Sequence, residues 1–147
     1  MISIEQIKEL RNITGVSITE CKKALEKANG DIEKAREVLK DSGKDFARKR
    51  LNRETKAGII DNYIHSDKKV GVLLKLQCES DFVARSDDFS KLAHELCLQI
   101  AASVEDSSLL EQSWIKDQKK TVKDLIGEYI AKFGENIIVE KFIRYEI

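Results

Sequence analysis

The spacing of apolar residues changes its period along this chain, and this change constrains the fold more than any other feature. Up to residue 43, apolar residues recur every three to four positions, as on one face of an α-helix. From residue 57, runs of β-branched and aromatic residues predict strands, and helical spacing returns in two later segments. Both periods, held in separate stretches, predict an α+β protein. The 147 residues include no proline, which favours uninterrupted helices.

The first stretch, residues 1–43, predicts three helices that together form a docking domain. Ser3, Ser17 and Asp31 each stand where an N-cap residue is expected, just before a segment with helical spacing. Ser42-Gly43 predicts the end of the third helix. A helical domain this short buries little apolar area, and we expect it to bind a partner.

The positive and negative charges of the chain are equal in number but unevenly distributed. There are 26 Lys and Arg and 26 Asp and Glu residues, which argues against a globally basic nucleic-acid binder. Residues 44–56 hold six basic and two acidic residues. We interpret them as a basic linker helix between two domains, with Phe46, Ala47 and Leu51 as a weak apolar stripe. The alternative, an RNA or ribosome contact, has only modest support from six charges of one sign.

Residues 57–147 predict a second domain with the element order β-β-α-α-β, a small α/β sandwich with a three-stranded antiparallel sheet. The first two strands flank a polar turn at residues 65–69, and two helices begin near Asp87 and Thr121. Between these helices, residues 104–120 are polar and are expected to form an irregular connection.

The last strand begins at Asn136 and is expected to hold its apolar residues on one face of the sheet. A sheet of three strands needs helices on one face, which leaves the other face or an edge open to self-association. The residues expected to share the apolar face are Ile137, Val139, Ile143, Tyr145 and Ile147.

Candidate metal ligands and catalytic groups are sparse. His94 and Cys97 are three residues apart and Cys78 is near in sequence, which is too few ligands for a structural zinc site. No Gly-rich phosphate loop or activated nucleophile is present, so we expect no enzyme activity, cofactor or metal. Three cysteines without a CxxC pair fit a cytoplasmic protein, and no apolar run is long enough to span a membrane.

The most unusual segment, Ser80-Asp81-Phe82-Val83-Ala84, follows the second strand and precedes a capped helix. A connection there should be polar, but this one carries Phe82 and Val83. Two interpretations remain open at this point. Phe82 either folds back onto its own core or projects, beside Asp81, as an anchor for a partner, since exposed aromatic residues dominate the energetics of interfaces.

Three motifs in order make the chain resemble the bacterial translation elongation factor Ts family over nearly its whole length. They are residues 21–25 (CKKAL) with 29–31 (NGD), residues 80–84, similar to the family's TDFVA, and residues 134–137 (GENI), similar to the family's IGENI. The resemblance implies a ubiquitin-associated-like N-terminal domain and an exchange factor that promotes GDP release from elongation factor Tu. It implies no cofactor and no direct nucleic-acid contact.

The resemblance also implies which residues contact elongation factor Tu. Phe82 would insert between two helices of the GTPase domain, with Asp81 beside it, and a second contact would come from the N-terminal domain. The implied contact residues are Arg11, Ile18, Thr19, Ser80, Asp81, Phe82 and Val83.

Departures from the family pattern keep other interpretations open. The family often has Met where this chain has Ile18 and Thr19, so the N-terminal contact is expected to be weaker. Longer members have a second core unit and a helical protrusion, which here is reduced to residues 104–120. Short members can pair through their sheets, which is compatible with a homodimer here; such a dimer would be non-covalent, because the final strand has no cysteine. The alternatives are a GTPase- or ribosome-binding adaptor without exchange activity and an RNA-binding factor.

Overall fold

The computed structural model describes residues 1–103 and 108–147, except the side chains of Asp45 and Phe46. It confirms the α+β class, with helices first and a small antiparallel sheet after them. The elements are α1 (Ile4–Thr14), α2 (Ile18–Lys27), α3 (Ile32–Arg50), β1 (Ala57–Ile64), β2 (Val70–Cys78), α4 (Asp81–Ala84), α5 (Asp87–Ala102), a 3₁₀ turn (Leu109–Glu111), β3 (Ser113–Trp114), β4 (Asp117–Thr121), α6 (Val122–Phe133) and β5 (Ile137–Glu146).

The three predicted N-caps of the helical region are confirmed. Ser3 Oγ, Ser17 Oγ and Asp31 Oδ1 each accept a hydrogen bond from the backbone N–H three residues later, at 3.1, 3.3 and 3.0 Å. These bonds satisfy N–H groups that have no partner inside the helix. The small core between α1, α2 and α3 consists of Leu10, Cys21, Ala24, Leu25, Ala28 and Ala35.

The predicted end of the third helix at Ser42-Gly43 is wrong, because α3 continues to Arg50. The second half of α3 packs on α6, and this contact supports the helix through its glycine. A Cβ at Gly43 would lie 3.7 Å from Ala131 Cβ, an ordinary van der Waals distance. Arg50 Nε donates a hydrogen bond to the carbonyl oxygen of Gly134 at 3.1 Å.

The segment interpreted as a basic linker helix, residues 44–56, therefore starts as a continuation of α3 that lies against a core formed by residues 72–137. Ala47 packs on that core, whereas Leu51 is exposed. The proposed contribution of Phe46 to the apolar stripe lies outside the described side chains. The division of the chain at residues 43 and 56 stays a prediction.

Two lysines of α3 pair with Asp124 of α6. Lys40 Nζ and Lys44 Nζ lie 3.6 and 3.8 Å from its carboxylate. The Thr121 N–H donates to Asp124 Oδ2, and the Asp124 N–H donates to Thr121 Oγ1, both at 3.1 Å. Burial alone would raise the pKa of Asp124, but the hydrogen bonds from Thr121 and the two positive charges lower it on balance.

Asp124→Asn is expected to lower the free energy of unfolding by about 1 kcal/mol at neutral pH, because it removes the ion pairs and weakens the cap. Since folding depresses the pKa of Asp124, this stabilisation is present above the unfolded pKa of about 4 and is lost as the pH falls through the lower folded value. Urea unfolding at neutral pH and at about pH 3 measures how this stabilisation depends on pH. The control is Asp41→Asn, which removes an exposed carboxylate from α3. An equal effect of Asp124→Asn at both pH values would contradict its ionic origin.

The main sheet has the strand order β1-β2-β5, and both pairs are antiparallel, as predicted. Gly58 allows β1 to approach β2 closely, since a Cβ there would lie 2.2 Å from the carbonyl oxygen of Leu76. The inner face of the sheet packs on α5, which gives the second core. Its most buried members are Leu74, Leu76, Cys78, Phe89, Leu92, Ala93, Leu96, Cys97 and Val122.

The prediction that β5 keeps its apolar residues on one face is wrong, because the strand contains a β-bulge. Leu76 pairs with Val139 and Lys75 pairs with Lys141, so Glu140 is an extra residue without a paired position. One inserted residue inverts the alternation beyond it. The apolar set is thus divided between the inner face, with Ile137 and Val139, and the exposed positions Ile143, Tyr145 and Ile147.

The exposed outer face of the sheet carries several large apolar side chains, namely Ile60, Ile64, Leu73, Ile143 and Tyr145. Such a face is compatible with self-association. The non-covalent homodimer stays a prediction.

Residues 109–120 are not the irregular connection that the sequence predicts. They form the 3₁₀ turn and the β3–β4 hairpin, which are held by the buried side chain of Gln99 on α5. Its Nε2 donates to Gln112 Oε1 and to the Ser113 carbonyl, both at 3.1 Å, and its Oε1 accepts from the Ile115 N–H at 2.9 Å. The first part of the predicted connection, residues 104–107, lies outside the described residues.

Candidate functional site

Phe82 projects from a single helical turn at the end of β2. Ser80 caps this turn, α4, by accepting a hydrogen bond from the Val83 N–H at 3.3 Å. The Phe82 side chain is 87% exposed, and Asp81 beside it is also exposed. Of the two interpretations left open by the sequence, the fold-back of Phe82 onto its own core is therefore wrong in this structure.

Val83 stands among the implied contact residues, but its side chain is buried and belongs to the core cluster. Successive residues on a helix point about 100° apart, so a turn that exposes Phe82 directs its neighbour elsewhere. Val83 and the buried Ala84 anchor the turn to the protein. In the free protein Val83 therefore anchors the turn, and its direct contact with the partner stays a prediction.

The carboxylate of Glu135 holds the other end of this turn. Its Oε1 accepts hydrogen bonds from the backbone N–H groups of Glu79 at 3.1 Å and Ser80 at 2.9 Å. Its Oε2 accepts a hydrogen bond from the Ser80 hydroxyl at 2.6 Å. Glu135 follows Gly134, which ends α6 in the left-handed conformation. Two turns that are more than 50 residues apart in the sequence are thus joined by one side chain.

Glu79 makes the reverse connection between the same two turns. Its Oε2 accepts the Asn136 N–H at 2.6 Å, and its Oε1 lies 3.7 Å from Arg53 Nη1. Asn136 is buried and donates from Nδ2 to the Arg53 carbonyl at 3.0 Å. The end of β2, the start of β5 and the chain before β1 therefore form one polar cluster next to Phe82. The sequence had marked Glu135 and Asn136 only as part of a motif.

The candidate metal ligands do not form a site. Burial, followed by the charge of Glu135, raises the pKa of Cys78 to about 11, and burial raises the pKa of Cys97 to about 12. Both thiols are therefore protonated at neutral pH, and His94 is exposed while Cys97 is fully buried. Over residues 1–103 and 108–147, no three His, Cys, Asp or Glu side chains are grouped to hold a metal ion.

The implied N-terminal contact residues Arg11, Ile18 and Thr19 are all exposed, near the turn between α1 and α2. Lys132 of α6 connects this turn to the α4–α5 region. Its Cε lies 3.4 Å from the position that a Gly15 Cβ would take, and its Nζ lies 2.9 Å from Asp88 Oδ2. The two sets of implied contact residues therefore adjoin the same end of α6.

Several cations of the basic segment interact within the chain. Arg50 donates to the Gly134 carbonyl and Arg53 lies beside Glu79, as described above, and Lys56 pairs with Glu54 at 3.6 Å. The two ion pairs offset part of the positive charge that the segment would offer to a phosphate backbone, and the Arg50 hydrogen bond occupies one of its donors. No helix in the described ranges has the length and apolar character needed to cross a membrane.

An exposed aromatic residue on a turn that is anchored on both sides is typical of a protein-binding site. The comparisons with known proteins agree with this class. The family model described as "Elongation factor TS" matches residues 79–147. The protein named Elongation factor Ts from Thermotoga maritima is 42% identical over 191 aligned positions, which cover 99% of this chain and 96% of the relative. The protein of the same name from Thermoanaerobacter pseudethanolicus is 37% identical over 193 positions, with 99% and 95% covered.

This chain therefore belongs to the elongation factor Ts family. Both alignments extend over more positions than the 147 residues of this chain, so these relatives contain residues that have no counterpart here.

Proposed function

We propose that the protein is a guanine nucleotide exchange factor for elongation factor Tu. Family membership supports this role, since the relatives carry the name of the exchange factor. The observation that carries the proposal is the exposure of Phe82, which is 87% accessible on the turn that matches the family motif. An aromatic side chain held away from its own core in this way is available for burial in a partner.

Exchange proceeds by insertion of Phe82, with Asp81 beside it, between two helices of the GTPase domain. Displacement of these helices moves the groups that hold Mg²⁺ and the phosphates of GDP. No covalent bond is made or broken. The protein acts by stabilising the nucleotide-free GTPase, which lowers the affinity of the GTPase for nucleotide. By thermodynamic linkage, a bound nucleotide lowers the affinity of the GTPase for the exchange factor by the same factor.

The N-terminal helices supply a second contact through Arg11, Ile18 and Thr19. The exposed Ile18 provides apolar area, whereas Thr19 provides less than a methionine would. The position of Lys132, close to Gly15 and paired with Asp88, supports a partner that meets both contact regions from one side. Ser80 supports this surface as the cap of the Phe82 turn.

The affinity of this protein for elongation factor Tu, measured in the nucleotide-free and the GDP-bound state of the GTPase, tests the proposal. Isothermal titration should give tighter binding to the nucleotide-free GTPase than to the GDP-bound form, by about fivefold to a hundredfold or more, as expected for a coupling of 1–3 kcal/mol. An adaptor on the same fold has no reason to distinguish the two states. Equal affinity for both would contradict exchange activity and favour the adaptor.

A further inference from the structure

We infer that Glu135 is a positioning residue for Phe82, an assignment that rests on the proposed exchange function. Glu135 is not itself one of the residues that contact the partner. It acts through the backbone at residues 79–80, which sets the direction in which the Phe82 turn leaves the end of β2.

The hydrogen bonds of Glu135 are concentrated on the start of the turn. One carboxylate accepts two backbone N–H groups and one hydroxyl from Glu79 and Ser80, at 2.6–3.1 Å. Bonds to an ionised acceptor are stronger than bonds between neutral groups. The Ser80 hydroxyl also accepts a hydrogen bond from the Val83 N–H, so Glu135 holds the residue that caps the turn.

The turn itself is too short to be stable without such support. α4 has four residues, and an isolated helical turn is unfavourable because nucleation fixes several dihedral angles for few hydrogen bonds. Burial of Val83 and Ala84 anchors its C-terminal part. Glu135 anchors its N-terminal part. Asp81 and Phe82 lie between these two anchors and are the residues that remain exposed.

Hydrogen exchange followed by mass spectrometry in the free protein tests the local effect. Glu135→Ala should accelerate amide exchange across residues 79–85 by about tenfold, with little change in α5, because only the turn loses its hydrogen bonds. Glu140→Ala, at the exposed bulge residue of β5, is the matched control and should leave the amide exchange of residues 79–85 unchanged. Glu135→Gln keeps an acceptor for both N–H groups and should restore most of the protection.

Exchange kinetics then separate positioning from general stability. With Glu135→Ala, the maximal rate of GDP release should fall about tenfold while the half-saturating concentration changes less, since the N-terminal contact is intact. Glu135→Gln should recover most of the maximal rate. In a double-mutant cycle on the affinity for nucleotide-free elongation factor Tu, Glu135→Ala should have almost no effect once Phe82 is already alanine.

The positioning role of Glu135 and the proposed exchange function are contradicted by different results. Unchanged amide exchange at residues 79–85, or an equal loss of affinity with and without Phe82, would overturn the positioning role. A wild-type protein that does not accelerate GDP release would overturn the proposed function. In that case the amide exchange of the free protein still decides whether Glu135 holds the turn.

Discussion

Phe82→Ala is expected to reduce the acceleration of GDP release by about 30-fold or more, the loss that corresponds to an interface residue contributing at least 2 kcal/mol. The side chain is 87% exposed in the free protein and has a carboxylate beside it. Its apolar area is therefore available for burial between the helices of the partner. The alanine variant therefore lacks the side chain that displaces the helices of the partner.

The same substitution should leave the free protein almost as stable as before, because Phe82 contributes little to its own core. Thermal unfolding should shift by no more than about 2 °C. Tyr145→Ala is a matched control, since Tyr145 is an exposed aromatic residue on the outer face of the sheet. A large loss of melting temperature in Phe82→Ala, or an equal loss of exchange in Tyr145→Ala, would contradict the role given to Phe82.

Phe89→Ala should have the opposite effect, although it is the same chemical change seven residues later. Phe89 is fully buried at the start of α5, and its ring lies edge-on to Phe133 with centroids 6.3 Å apart. A cavity at such a position costs about 3–5 kcal/mol of unfolding free energy. Much of the stability of a domain this size would be lost.

Urea unfolding measures this loss, with Phe82→Ala as the control for the size of the side chain. At temperatures where Phe89→Ala is still folded, its maximal rate of GDP release should stay near that of the wild type, because Phe89 is buried away from the partner. Similar losses of stability in the two variants would show that the assignment of one phenylalanine to the core and the other to the surface is wrong.

Features set by neighbouring residues could be predicted from the sequence. The caps at Ser3, Ser17 and Asp31 depend on a side chain and a backbone group three residues apart, so their signals are local. The β1–β2 hairpin was also predictable, because strand-forming residues flank a short polar turn. In both cases the physical cause and the sequence signal lie within a few residues.

The errors concern features that depend on distant contacts. The Ser42-Gly43 signal for a helix end was overridden by packing of α3 on α6. The bulge at Glu140 has no mark in the sequence of β5, since it arises from its pairing with β2. The β3–β4 hairpin is polar and short, and it depends on a buried glutamine from α5.

The candidate site likewise combines a feature with a local sequence signal and a feature that depends on distant contacts. The sequence identified Phe82 as an unusual residue, but its direction depends on which neighbours are buried and on the hydrogen bonds at residues 79–80. Glu135 supplies those bonds from more than 50 residues away. No local pattern connects the two positions.

Exchange activity is tested most simply by the release of a fluorescent GDP analogue from elongation factor Tu, measured with increasing amounts of this protein. The release rate should rise with the concentration of this protein and then saturate, as it does when a transient complex forms before the nucleotide leaves. Saturable binding of the protein without any increase in the release rate would contradict exchange activity and leave a binding adaptor as its function.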